Sequence, residues 1–367
     1  MKFILCMLVI FLSTQVTAST KSDVIQENRV KIGPITTSPV SYNNKIYFLA
    51  NTGVLFKSNY DQSVIQNIFK TNKSTFSGLT LHKEFVYFGE GLHKDNQSYL
   101  FAYNLKTQKL AFKQVFDGHI ERRPLYYKDI IYVGHGPGGI SAYSTKTKKI
   151  LWTQKKTTDG LLHVDATPIP FERNGRLEVC VPSIYKFKGL ACLDAKTGDI
   201  LHTQKLLLSP KSETRLVNGY MIGYATKGTM NDNEFKTPSR FYIYNLKEKK
   251  LVKDIVLRGY NFYPPIIEEG SKVFVTLSTG DLITINLTDG KIGYVSEFPE
   301  PFISTPFKIK DELCAIGIMG KLLCFKKTKS GYSMSKEKRY YETPIGNIEK
   351  EINKKLYIPS RMGYFHL

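Results

Sequence analysis

Apolar and polar residues alternate with a period of two along most of this chain, in short runs closed by Gly, Pro, Asn or Asp. That period puts successive side chains on opposite faces of a strand, so the pattern predicts β-structure nearly throughout. The i, i+3, i+4 spacing of an amphipathic helix finds no convincing match after the N-terminus. The alternation also comes in copies. Ser38-Pro39-Val40 leads through Lys45-Ile46-Tyr47-Phe48 to Gly53-Val54-Leu55-Phe56, and Arg123-Pro124-Leu125 leads through Ile131-Tyr132-Val133 to Gly139-Ile140-Ser141-Ala142-Tyr143. Pro264-Pro265-Ile266 and Thr305-Pro306-Phe307 open two later copies, and Lys355-Leu356-Tyr357-Ile358 belongs to the last.

Positions 53, 98, 138, 188, 239, 280, 320 and 363 open the third strand of eight successive copies, at spacings of 40 to 51 residues. A repeat of that length holding four short strands is a propeller blade. The expected fold is therefore all-β, an eight-bladed β-propeller of four-stranded antiparallel blades. Seven blades is the competing count, because the fifth copy is degenerate. The eighth copy stops at Leu367 as its third strand ends, and Asn28-Arg29-Val30-Lys31-Ile32 is expected to supply the fourth. Such a closure leaves no exposed edge in that blade. Asp194-Ala195-Lys196-Thr197-Gly198 and Asn286-Leu287-Thr288-Asp289-Gly290 read as tight hairpins from third to fourth strand, with Gly at a left-handed position.

Ahead of the repeats, 1–18 reads as a cleaved signal peptide. Lys2 is followed by an apolar run from Phe3 to Leu12, too short to span a bilayer, and Val16-Thr17-Ala18 offers a cleavage site. Cys6 lacks the small preceding residues of a lipidation site. Residues 19–367 then form a single propeller domain, expected to be exported, periplasmic or envelope-associated, and monomeric. The 23 Tyr and 22 Phe suit a large β-rich core. A formal charge of +20 points to acidic partners or an anionic surface. Nucleic acid is not an expected partner, since export separates the two.

Gly189-Leu190-Ala191-Cys192-Leu193-Asp194-Ala195-Lys196-Thr197-Gly198 and the segment from Ile140 to Trp152 resemble pyrroloquinoline-quinone-type propeller repeats: a Gly-x-apolar-x-Ala-apolar-Asp strand, a Lys-Thr-Gly turn, and a strand ending in Trp. The resemblance covers the whole of 19–367, most clearly in copies three, four and six. In size and repeat count the chain is similar to the BamB propellers of the outer-membrane β-barrel assembly machinery. That likeness implies a non-enzymatic protein–protein interaction scaffold in the cell envelope. A glycan- or polyanion-binding propeller is the alternative, and a quinone-dependent dehydrogenase a further one.

Superposing the copies pairs the cysteines. Cys180 and Cys314 fall where other copies carry Tyr47, Tyr87, Tyr132, Phe274 and Tyr357, while Cys192 and Cys324 fall opposite, where others carry Lys57, Ala102, Ala142 and Thr284. Two intra-blade disulfides are expected, with four buried thiols as the plainer reading.

No catalytic, cofactor-binding or metal site emerges. The only Trp, Trp152, occupies a repeat position and reads as blade packing. Gly134-His135-Gly136-Pro137-Gly138-Gly139 leads into a strand, so it reads as a turn rather than a phosphate cradle. His119, His135 and His163 lie in loops of neighbouring copies and could cluster, with surface turns as the plainer reading; Asp194 and Asp199 read as turn formers.

The topology sorts the charges onto two faces. Hairpins from first to second and third to fourth strand are rich in lysine, including Lys146, Lys148, Lys149, Lys249, Lys250, Lys326 and Lys327. Anionic lipid or another polyanion is the expected contact there. The opposite face mixes Arg122 and Arg123 with acids such as Glu121 and Asp165, carries the long loops 90–97 and 227–238, and presents Tyr260, Phe262 and Tyr263. This face is the expected docking surface for a protein partner.

Overall fold

The computed structural model describes residues 32–211, 213–227, 239–259, 261, 263, 266–267, 270–346, 348 and 352–366. The expected leader, Tyr260, Phe262, most of loop 227–238 and all of the closure segment but Ile32 lie outside these residues.

Each element named among the described residues is a strand. Seven four-stranded antiparallel sheets succeed one another over 40–70, 80–117, 125–154, 169–205, 215–257, 266–297 and 307–339, each in sequential strand order. The eighth repeat contributes the pair Tyr357–Ser360 and Gly363–His366, with Pro344 bridged to Ser360. Third strands begin at Val54, Gln97, Ile140, Gly189, Ser239, Asp281, Lys321 and Gly363, all within two residues of the expected positions. A short extra hairpin, Lys156–Thr157 and Gly160–Leu161, sits in the link between the third and fourth sheets.

Burial explains the sequence pattern. Inner strands such as Gly189–Asp194 are buried at every position, because another sheet covers each face. The fourth strand Ile65–Lys70, by contrast, has no buried position and admits polar residues such as Gln66, Asn67 and Lys70. Apolar clusters fill each gap between consecutive units: Leu49 with Phe101, Leu100 with Val133, Tyr132 with Val181, Met221 with Leu190, Tyr224 with Val275, Phe274 with Leu323, and Cys314 with Ile358. The last cluster joins Tyr357 and Tyr364 of the eighth unit to Ile35, Ile46 and Phe48 of the first, and Ile32 is buried there too. The units thus close into a ring.

Tyrosine stitches the joints. The Tyr132 hydroxyl donates to the Ala195 carbonyl of the next unit at 3.1 Å, and that of Tyr224 donates to Thr276 at 3.2 Å. A buried ring with a polar tip suits this task, which accounts for much of the tyrosine content.

Strand register places the cysteines opposite one another, Cys180 on Cys192 and Cys314 on Cys324, and both pairs are disulfide-bonded. The equivalent pairs elsewhere are Tyr47 with Lys57, Tyr87 with Ala102, Tyr132 with Ala142 and Phe274 with Thr284, as superposition of the copies required. Gly198 and Gly290 take left-handed φ values of 80° and 75° at the hairpins. Lys148 and Lys249 occupy the same turn position at 54° and 55°, so the turn tolerates other residues there.

Candidate functional site

The turns from second to third strand and the links between sheets meet at one end of the ring. They wall a cavity of about 510 Å³. Phe76 comes from the link after the first sheet, Arg122 from the next, Asp165 from the third and Pro210 from the fourth. Tyr263, Ile303 and Ile345 follow from the later links. Tyr185 and Arg361 reach the wall from turns of the fourth and eighth units. Apolar and aromatic groups therefore dominate a concave surface carrying Arg122, Lys211 and Arg361.

One side of this wall holds a cluster of histidines and carboxylates. His93 stands in a turn of the second unit, His119 and Glu121 in the link that follows it, and His163 and Asp165 in the link from third to fourth. His93 Nδ1 lies 2.5 Å from Glu121 Oε1, His119 Nε2 lies 2.9 Å from Asp165 Oδ1, and His163 Nε2 lies 3.1 Å from Asp165 Oδ2. The His93 and His119 rings stack with centroids 5.0 Å apart, and the Tyr185 ring meets His163 edge-on at 4.7 Å. Backbone hydrogen bonds between Gly136 and Val164, at 3.0 and 3.1 Å, fix the link that carries His163 and Asp165.

Burial pushes the Asp165 carboxyl upward, but hydrogen bonds from His119 and His163 more than offset it and hold Asp165 well below the ordinary carboxylate range. The hydrogen bond to Glu121 raises the His93 imidazole against the opposing effect of burial. His93, His119, Glu121 and Asp165 each have one donor atom within 4.8 Å of those of the other three. Two further groupings place Glu178 and Glu312 beside cysteines, but those cysteines are disulfide-bonded and have no thiolate to offer.

Among the expected partner-face residues, Arg122 and Tyr263 line the cavity, and Arg123 lies with both of them in a small adjoining cleft. The surface-turn reading of the histidines is corrected: His119 and His135 are 1% and 2% exposed. His119 is buried because its link turns inward, and His135 because its turn folds the imidazole against the Phe116 ring, with centroids 5.2 Å apart. His135 does not join the cluster. Its Nδ1–H donates to the Asp117 carbonyl at 2.6 Å and its Nε2 accepts from the Ser141 hydroxyl at 2.8 Å. The loop 134–139 joins second to third strand, as expected of a turn. Asp194 Oδ1 accepts from the amides of Lys196 and Thr197, the bonds of a turn former. Trp152 packs at the joint with the fourth unit and donates to Ala195 at 3.1 Å.

Lys146, Lys148, Lys149, Lys249, Lys250, Lys326 and Lys327 are all exposed at hairpin tips or strand ends away from the cavity. Lys146 pairs with Asp129 at 2.9 Å and Lys326 with Glu312 at 3.6 Å, which partly offsets their charge. His93 has no counterpart in the sequence expectations. Its only signal there is its position in the long loop 90–97.

Over 91% of its length the chain superposes on 95% of BamB from Moraxella catarrhalis, with a TM-score of 0.65 at 13% identity. The fold is a pyrroloquinoline-quinone-type repeat propeller resembling BamB. The computationally designed Ika8 protein gives a TM-score of 0.67 at 11% identity, with 91% of this chain and 96% of that one covered. A quinohemoprotein alcohol dehydrogenase from Comamonas testosteroni gives 0.61 at 12% identity, over 84% and 65% of the two chains. At such identities the likeness is one of fold. No family model matches the sequence. Two curated relatives are uncharacterized proteins, from Rickettsia conorii at 24% identity over 230 residues and Rickettsia prowazekii at 23% over 221. Each match takes in 57% of this chain and 48% of the relative, so the chain spans about half the length of the curated relatives it matches.

Proposed function

We propose that this protein is a non-enzymatic binding scaffold of the cell envelope, holding a protein partner at the mouth of its central cavity. The convergence of links from every part of the ring onto one concave, largely apolar wall carries this reading. Aromatic side chains such as Phe76 and Tyr185, set beside Arg122 and Arg361, are the residue types that anchor protein partners. Two disulfides support an oxidising compartment, and the leader-like 1–18 supports export. Likeness to BamB supports a place in outer-membrane protein assembly. The exposed lysines of the opposite rim would then face anionic lipid head groups or another polyanion.

Site-specific crosslinking tests the proposal. A photoreactive phenylalanine analogue at Phe76 or Tyr185 should give a discrete protein adduct in the envelope of living cells, and the same analogue at Lys250 should not. Adducts from position 250 alone would overturn the docking face. A polysaccharide adduct would favour the glycan-binding alternative, and dye-linked alcohol oxidation on adding quinone would establish an enzyme instead.

A further inference from the structure

The cluster on the cavity wall has a composition that protein docking does not require. Two carboxylates are withdrawn from water there, the side chains of Glu121 and Asp165 being 5% and 10% exposed. They face imidazoles rather than a matching set of permanent cations, although the charge of Arg122 is also felt at His93. Burying two carboxylates side by side is unfavourable unless positive charge compensates them.

We propose that His93, His119, Glu121 and Asp165 form a binding site for a divalent first-row transition ion, with zinc the favoured metal. Their donor atoms lie within 4.8 Å of one another. In a tetrahedral zinc site, bond lengths near 2.1 Å put the ligand atoms about 3.4 Å apart. The hydrogen-bonded pairs at 2.5 and 2.9 Å would open and the widest separations close, by side-chain shifts of about 1 Å. Two imidazoles and two carboxylates suit zinc and its neighbours. Calcium and magnesium prefer all-oxygen sets.

The surroundings are built like those of a metal site. His163 holds Asp165 Oδ2 at 3.1 Å, which orients the carboxylate and leaves Oδ1 beside His119 Nε2. The His93 side chain is 57% exposed and stands at the open side, giving an ion a path in from the cavity. The four donors come from three segments: a turn of the second unit and the two links that follow the second and third sheets. An ion would thus clamp the second, third and fourth units together at the cavity wall.

The test uses the full chain, purified without a histidine tag and stripped with chelator, and needs no knowledge of any partner. Zinc titration by calorimetry should show one equivalent bound with micromolar or tighter affinity, and cobalt(II) should give d–d absorption bands. Saturating zinc should raise Tm by roughly 3–6 °C. His93→Ala removes a mostly exposed side chain, so its apo Tm should match the parent while zinc affinity falls at least ~10-fold. Glu121→Gln should weaken binding similarly, and His82→Ala, outside the cluster, should leave it unchanged. Negligible zinc uptake by the stripped chain at about 100 μM metal, far above the dissociation constant expected of a built site, overturns the proposal. So does full-affinity binding by both His93→Ala and Glu121→Gln. Failure of the crosslinking test would leave this result untouched, because the two measure different things.

Discussion

The hydroxyl of Tyr357 donates a 2.6 Å hydrogen bond to the carbonyl of Tyr60, a residue 297 positions earlier in the chain. Tyr132 makes the same kind of bond to Ala195 within the chain. Both tyrosines occupy one repeat position on the second strand, and both acceptors follow the third strand of the next unit. The seam between the chain's ends is thus built like an internal joint.

That equivalence has a measurable consequence. Tyr357→Phe and Tyr132→Phe should each lower stability by about 0.5–1.5 kcal/mol, because each removes one donor from a carbonyl that keeps a second, from Lys355 or Trp152. Urea denaturation of the two variants would show comparable losses. A silent Tyr357→Phe beside a destabilised Tyr132→Phe would mean that the ends do not meet.

The disulfides should contribute separately. Cys180–Cys192 and Cys314–Cys324 close loops of 12 and 10 residues, worth about 2–3 kcal/mol each by the chain-entropy relation. They lie in different units, so the losses from Cys180→Ser/Cys192→Ser and Cys314→Ser/Cys324→Ser should add in the quadruple variant. Thiol alkylation of the unreduced protein under denaturing conditions should find these four cysteines blocked.

Gly198 should respond to substitution more sharply than Gly175, a glycine of similar φ in a first-to-second-strand hairpin. A Cβ there would stand 2.6 Å from the Trp152 indole, whereas at Gly175, with a similar φ of 74°, it would meet nothing. Gly175→Ala should cost about 1–2 kcal/mol from backbone strain alone. Gly198→Ala should cost a further ~1–3 kcal/mol for displacing the ring. Thermal melts of the pair separate strain from collision, and equal losses would count against the packing described for Trp152.

Acid should destabilise the protein through His135. Burial is the main cause that pushes this imidazole down to about 4, against the opposing effect of its hydrogen bond to the Asp117 carbonyl. Asp117, Lys155 and His119 are the charged or titratable groups that act on it. In the unfolded chain it titrates near 6.5. Between those values the unfolded state binds more protons, so stability falls as pH drops from about 6.5 to about 4, by up to roughly 3 kcal/mol. His135→Gln should flatten the stability profile in that window relative to the parent. An unchanged slope would remove His135 as the cause.

Much of this was legible along the chain. Period-two alternation, the spacing of the copies and the Tyr-to-Cys exchange all concern residues near one another in sequence, where hairpin geometry leaves little freedom. Cys180 and Cys192 could be paired on paper because antiparallel register follows from a short turn. The hairpin glycines were legible for the same reason, since Gly198 and Gly290 meet a demand set within a few residues.

The wall of the cavity was legible only in part: Arg122 and Tyr263 were expected on this face, but the grouping of His93, Glu121 and Asp165 was not. His119 and Asp165 are 46 positions apart, and His93 and Glu121 are 28 apart, in links without periodicity. Nothing local turns those side chains inward. Closure of the ring does so, by carrying successive links to a common axis, where apolar packing between sheets holds them. The sequence by itself determined the repeat, the strands and the cysteine partners, because each depends on neighbours in the chain. Only the tertiary structure decided that His93, His119, Glu121 and Asp165 share a site, because their proximity depends on the geometry of the whole ring.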